Sequence, residues 1–126
     1  MIKRKPSILT TKDISVNEAQ PSVLICMRVD DDILDFTGHF PNHPLLPGVT
    51  QVDWAIHYAK HYLNAHSNFK GMEVLKFQEP ILPNMEVELE LKWDIEKSKL
   101  YFTYRSNKGD TVSNHASGRI VLGAQS

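Results

Sequence analysis

Gly38-His39-Phe40-Pro41-Asn42-His43-Pro44-Leu45-Leu46-Pro47-Gly48-Val49-Thr50-Gln51-Val52-Asp53 is the stretch around which this chain is organised. Pro41, Pro44 and Pro47 each fix φ and withdraw a backbone donor, so the first half is neither helix nor inner strand. After Pro47-Gly48 the pattern changes. Val52, Ala55, Ile56, Ala59 and Leu63 recur at steps of three and four, which predicts an amphipathic helix from about Val49 to Leu63. A stiff loop thus holds His39 at one end, and a helix N-terminus with Asp53 in its first turn or two begins at the other.

On either side of this unit the periodicity is that of strands. Ser22–Val29 is a compact apolar run between Pro21 and Asp30-Asp31-Asp32 and reads as a strand, with Cys26 among its core residues. The three aspartates read as a solvated turn rather than a metal site, because consecutive carboxylates diverge. Ile33–Phe36 reads as a brief strand. Beyond the helix, Asn64–Lys70 is a polar exit loop and Gly71–Phe77 a strand, followed by Pro80 and Pro83. Met85–Ile95 alternates strictly: Met85, Val87, Leu89, Leu91, Trp93 and Ile95 on a buried face, Glu86, Glu88, Glu90, Lys92 and Asp94 on a wet one. Leu100–Ser106 turns Leu100, Phe102 and Tyr104 inward, and Gly109 serves the next hairpin loop. Val112–Leu122 completes a meander. It places Asn114, Ala116, Gly118, Ile120 and Leu122 on one face, His115 and Arg119 on the other, and its small residues leave room for the helix. Residues 1–20 are weakly patterned and read as an arm or a lead-in helix or turn. One long helix and about five strands make an α+β domain in which the helix buries its stripe on the sheet.

At 126 residues the chain fits a single domain, 1–126. A formal charge of -1 points to neither nucleic acid nor a membrane surface. No apolar run approaches the roughly 18 residues of a membrane span, and the basic start is not followed by the apolar segment of a signal peptide. The single cysteine rules out an internal disulfide and suits a reducing compartment, so the cytoplasm is the expected location.

The chemistry gathers on the loop and helix. Histidine titrates near neutrality and suits proton transfer, so His39 is a candidate base. Asp53 is a candidate acid, although carboxylates early in helices also serve only to stabilise them. The N–H groups of Gly48 and Val49 lie between the two and could hold a carbonyl oxygen that gains charge during a reaction. His57 stands one turn after Asp53 and could hydrogen-bond it. Phe40 and Trp54 either line a tunnel beside this site or pack in the core. His43 reads as loop structure, and His61 and His66 as solvated. His57, His61 and Asp53 share helical spacing but lack a further converging ligand, so the expectation is no metal.

The run Gly38-His39-Phe40-Pro41…Pro44…Pro47-Gly48-Val49…Asp53 resembles the motif of the 3-hydroxyacyl-[acyl-carrier-protein] dehydratases, and Lys76-Phe77-Gln78-Glu79-Pro80-Ile81-Leu82-Pro83-Asn84 resembles that family's strand and bend. The resemblance spans roughly residues 20–122. It implies a hotdog fold, with a long central helix wrapped by an antiparallel sheet of about five or six strands. It also implies dimers or multiples of dimers, with active sites shared between subunits. Carried over, His39 is the catalytic histidine, Asp53 the catalytic carboxylate, and Gly48 the backbone donor to the thioester carbonyl, on a substrate borne by acyl-carrier protein and with no cofactor. The broad branch of that family has glutamate at the place of Asp53, and the branch that also isomerises has aspartate. Both usually have glutamine at the place of His57, so this chain departs there, in a way that bears on chain-length preference and isomerisation. Pro47–Ala55 also resembles dehydratases of aryl-polyene pathways. Two rival readings share the fold. A thioesterase generally lacks the His-Phe-Pro…Pro-Gly-Val loop, and a non-catalytic acyl-binding scaffold would lose the acid–base pair.

Overall fold

The computed structural model describes residues 3–15, 18–37 and 44–124. In chain order they form β1 (Ser7–Ser15), β2 (Ser22–Val29), a 3-10 turn (Leu34–Phe36), α1 (Gly48–Leu63), β3 (Asn68–Phe77), β4 (Met85–Asp94), β5 (Lys99–Lys108) and β6 (Thr111–Gly123). The strands make one antiparallel sheet in the order β1-β2-β4-β5-β6-β3. Helix α1 lies against β2, β4 and β5, the middle of that sheet. Val23, Ile25, Met27, Val87, Leu89, Leu91, Leu100, Phe102 and Tyr104 bury one face of these strands, and Trp54, Ala55, Tyr58 and Ala59 meet them from the helix.

The expected meander, helix and wrapped-sheet architecture form, and the departures have physical causes. Residues 7–15 are a strand, not an arm or helix. Register shifts between Ile8 and Thr10 and between Asp13 and Ser15 break the alternation of β1, so no period is legible there. Ile33–Phe36 is not a strand: Phe36 N–H donates to the Ile33 carbonyl and Thr37 N–H to that of Leu34, which winds a 3-10 turn. Cys26 is half-buried on the outer face of β2, because the inward period falls on Val23, Ile25, Met27 and Val29.

The alternation of β4 fails at its end. Asp94 is buried, its carboxylate taking Gln20 Nε2 at 3.1 Å and Lys97 N–H at 3.1 Å, while Ile95, past the strand, is exposed. Asp30 is likewise buried rather than solvated, held by Lys3 Nζ at 2.8 Å, Arg28 Nε at 2.7 Å and Ser7 Oγ at 2.5 Å. Gly118 makes room for Phe102 and the Val74 carbonyl, not for the helix: a Cβ there would stand 2.7 Å and 2.8 Å from them. His115 faces inward instead of outward. Tyr104 pairs with Ala116 and Arg105 with Asn114, so His115 is the extra residue of a β-bulge.

The helix is capped at its C-terminus by Asn64 in the left-handed region (φ 55°), with Lys60 and His61 complementing the dipole in the last turn. Its buried stripe keeps Val52, Ala55 and Ala59 as expected and widens to Gln51, Trp54 and Tyr58, while Ile56 and Leu63 are half-buried at its margin. Val52 and Ile56 form the edge of that stripe.

Candidate active site

The first turn of α1 is held from several sides. Leu46 N–H donates to the Ile81 carbonyl at 2.8 Å, and Gln51 Nε2 donates to the Leu46 carbonyl at 3.2 Å. Thr50 Oγ1 donates to Asp35 Oδ2 at 2.6 Å, and the buried Tyr104 hydroxyl donates to the Gln51 carbonyl at 2.7 Å. Burial pushes the Tyr104 phenol well above its ordinary range, with the Tyr58 and Asp53 fields adding to it, so Tyr104 stays a donor. Pro47 precedes the helix in an extended conformation and no side chain caps it. The N–H groups of Gly48 and Val49 therefore stand at the positive end of the helix, with no side-chain acceptor on them among the described residues.

Beside this terminus runs a cavity of about 500 Å³. Gly48, Val49, Val52, Asp53 and Ile56 form its helical wall, and Phe69, Met72, Leu75 and Phe77 of β3 form the other. Asp53 is the one ionisable side chain among these lining residues, and it is exposed. It stands in the second turn, beyond the first turn where the dipole acts most strongly, so helix stabilisation accounts poorly for it. An apolar cleft with one carboxylate and the N–H donors of a helix end suits an elongated apolar ligand with a polar group at the helix terminus.

The structure brings Gly48, Val49 and Asp53 together around this cleft. His39, Phe40 and His43 lie outside the described residues. Trp54 is in the core, away from the cleft lining, with its indole N–H donating to the Arg4 carbonyl at 3.0 Å. His57 is exposed and meets Tyr58 edge-on, ring centroids 4.9 Å apart, and no hydrogen bond joins it to Asp53. Partial burial, Lys5 and His61 hold His57 below its ordinary value against the opposing pull of Asp53. His61 meets Tyr62 edge-on, and the exposed His66 meets Trp93 in the same way. Among the described residues no three His, Cys, Asp or Glu side chains gather as a metal site.

The β3 wall of the cleft is what the sequence reading missed. Register shifts between Phe69 and Gly71 and between Met72 and Val74 scramble the period of the strand. The available signal was an excess of apolar side chains on a strand at the edge of the sheet.

The model of the ApeI dehydratase family matches residues 15–119. The chain belongs to that family. Among solved structures, a protein of unassigned function from Erwinia carotovora subsp. atroseptica superposes with a TM-score of 0.86 at 38% identity, covering 95% of this chain and 97% of the other. The dehydratase heterocomplex ApeI:P from Xenorhabdus doucetiae gives 0.76 at 31%, covering 93% and 96%. The 3-hydroxyacyl-[acyl-carrier-protein] dehydratase FabZ of Koribacter versatilis is 32% identical over 98 residues, 71% of this chain and 53% of that protein. The chain thus spans about half the length of that curated relative. Among the described residues one α-helix packs against a six-stranded antiparallel sheet, the hotdog fold that the chain shares with the ApeI:P dehydratase.

Proposed function

We propose that this ApeI-family chain is a hydro-lyase that dehydrates a 3-hydroxyacyl thioester carried on acyl-carrier protein, in fatty-acid or polyene biosynthesis. The observation that carries the reading is Asp53 on the wall of an apolar cleft whose end is the uncapped N-terminus at Gly48. The thioester carbonyl sits on the Gly48 N–H, with Val49 beside it. His39 removes the C2 proton, and the electron pair passes to the carbonyl oxygen, where the helix end stabilises it. As the pair returns, the C2–C3 double bond forms and the C3–O bond breaks. Asp53 supplies the proton with which the hydroxyl leaves as water. The thioester itself acidifies C2, so the chemistry calls for no cofactor.

The working unit in this reading is a homodimer, open to further assembly, in which His39 of one subunit serves Asp53 of the other. Supporting it, β3 is an edge strand that leaves Phe69, Val74, Leu75 and Phe77 exposed beside the cleft, a surface that pairing with a second copy would cover. The cytoplasm, where acyl-carrier thioesters are made, is the proposed location. No described helix is long and apolar enough to cross a membrane.

The test is incubation with a 3-hydroxyacyl thioester followed by mass spectrometry. Loss of 18 mass units, on the order of one water, supports dehydration. Free acid would indicate a thioesterase, and unchanged substrate a binding subunit.

A further inference from the structure

His115 is 2% exposed and Ser106 is 3% exposed, and neither belongs to the acid–base pair. His115 Nδ1 lies 2.9 Å from the Glu79 carbonyl oxygen, and Nε2 lies 2.8 Å from Ser106 Oγ. A carbonyl oxygen only accepts, so Nδ1 carries the proton; in the neutral ring Nε2 then accepts from the Ser106 hydroxyl. Both ring nitrogens are therefore committed, and the imidazole is fixed in one orientation. The backbone around it is used as well. Gln78 N–H donates to the His115 carbonyl at 2.9 Å, and Glu79 N–H donates to the Asn114 carbonyl at 3.2 Å. The bulge in β6 thus holds the short segment after β3 by three hydrogen bonds.

That segment is tied directly to the end of the helix. Phe77 precedes it and presses its ring on Gly48. Ile81 follows it and accepts the Leu46 N–H at 2.8 Å, two residues before Gly48. Hydrogen bonds at both ends of residues 78–81 therefore link His115, through that short backbone segment, to the turn that aims the Gly48 N–H.

We propose that His115 is a positioning residue for the carbonyl-binding end of α1. Through Glu79, whose carbonyl fixes the tautomer, it sets where the Gly48 donor stands relative to the substrate carbonyl, and Ser106 holds the other ring nitrogen. This rests on the dehydratase reading for the identity of the substrate, but the readout below needs only a bound thioester. A donor misplaced by about 1 Å costs up to roughly 100-fold in rate, so a residue remote from the chemistry can matter this much.

The experiment reads the carbonyl itself. A saturated acyl thioester without the 3-hydroxyl, labelled with 13C at the carbonyl, is bound to the full-length protein and followed by infrared difference spectroscopy. In the wild type the bound band falls below its position in water. In His115→Leu it moves back toward that position and kcat drops roughly 10- to 100-fold, with KM for the reactive substrate changed less than about threefold. His115→Asn, which keeps an N–H near the place of Nδ1, restores both. Should the leucine variant fail to fold, His115→Gln, whose amide reaches the Nε2 side instead, carries the same expectation. A folded Leu or Gln variant with the wild-type band and wild-type kcat overturns the proposal, as does an unshifted band in the wild type. Absence of dehydration by a wild type that still shifts the band defeats the dehydratase reading and leaves the positioning role standing.

Discussion

The ring of Phe77 lies so close to Gly48 that a Cβ on Gly48 would stand 2.5 Å from its Cζ. This contact joins the helix end to the β3 wall of the cleft, and it requires glycine for space rather than for backbone conformation. The atoms in the way are ring atoms of Phe77, which borders the open cleft, so the ring can turn where backbone could not. Gly48→Ala is therefore expected to fold, with stability changed by less than about 1 kcal/mol, because the displaced group is the far end of a side chain. Its kcat/KM should fall roughly 10-fold or more, since the cleft wall and the donor both shift. Phe77→Ala in that background should restore part of the loss, which a double-mutant cycle measures as coupling; strictly additive losses would show that the contact is irrelevant to the site.

Asp30 ties the N-terminal segment to the end of β2. Burial works to raise its pKa, but Arg28, Lys3 and Ser7 outweigh that and hold the carboxyl well below the usual carboxylate range. A depressed folded value means that the contribution is complete above the unfolded value of about 3.9 and is lost as pH falls below it toward the folded value. Asp30→Asn should cost roughly 1.5–3 kcal/mol at pH 7. Urea melts of both proteins should show the gap nearly constant down to about pH 5 and closing below about pH 4. A gap unchanged at the acid end would mean that charge is not what holds this corner.

His57 replaces the residue usual in the resembling dehydratases, yet it bonds neither Asp53 nor the cleft. His57→Gln and His57→Leu should each leave kcat/KM within about threefold of wild type, the scale of exposed substitutions. The Asp53 carboxylate does raise the His57 pKa through space, against burial, Lys5 and His61. Asp53→Asn should therefore lower it further, which an NMR titration of the imidazole reads directly. An unmoved or raised value would remove that electrostatic link.

What the sequence disclosed and what it hid follow from the same physics. β4 was legible from Met85 to Trp93 because a one-sided sheet imposes a period of two, and it misled at Asp94 because Gln20 and the Lys97 N–H satisfy a carboxylate there. α1 was legible in extent and only in part in its buried face: Val52, Ala55 and Ala59 are buried as the period predicts, Trp54 and Tyr58 add to them, and Ile56 turns to the cleft. Bulges in β1, β3 and β6 each shift the register by a residue, and a shift of one inverts the faces. That inversion hid the inward His115 and the cleft wall on β3. Gly48 and Asp53 could be placed at the helix start because loop stiffness and helix start are local properties, readable without knowing any partner strand.

The shared site carries the sharpest prediction. The prolines that follow His39 limit how far its loop curls back toward its own helix, and the exposed β3 edge offers a second copy a place beside Asp53. Single variants His39→Ala and Asp53→Asn should each lose at least ~100-fold in rate, the usual scale of general acid–base help, while keeping fold and assembly. If each site takes His39 from one subunit and Asp53 from its two-fold mate, a dimer of the two variants holds one intact site and one doubly dead site. Random exchange makes about half of the dimers mixed, so roughly a quarter of wild-type activity should return on mixing. Neither parent shows this alone, and the regain should follow the rate of subunit exchange. A mixture that exchanges subunits, as judged by mass spectrometry of differently tagged chains, and yet stays as inactive as its parents would place His39 and Asp53 of each site on one chain.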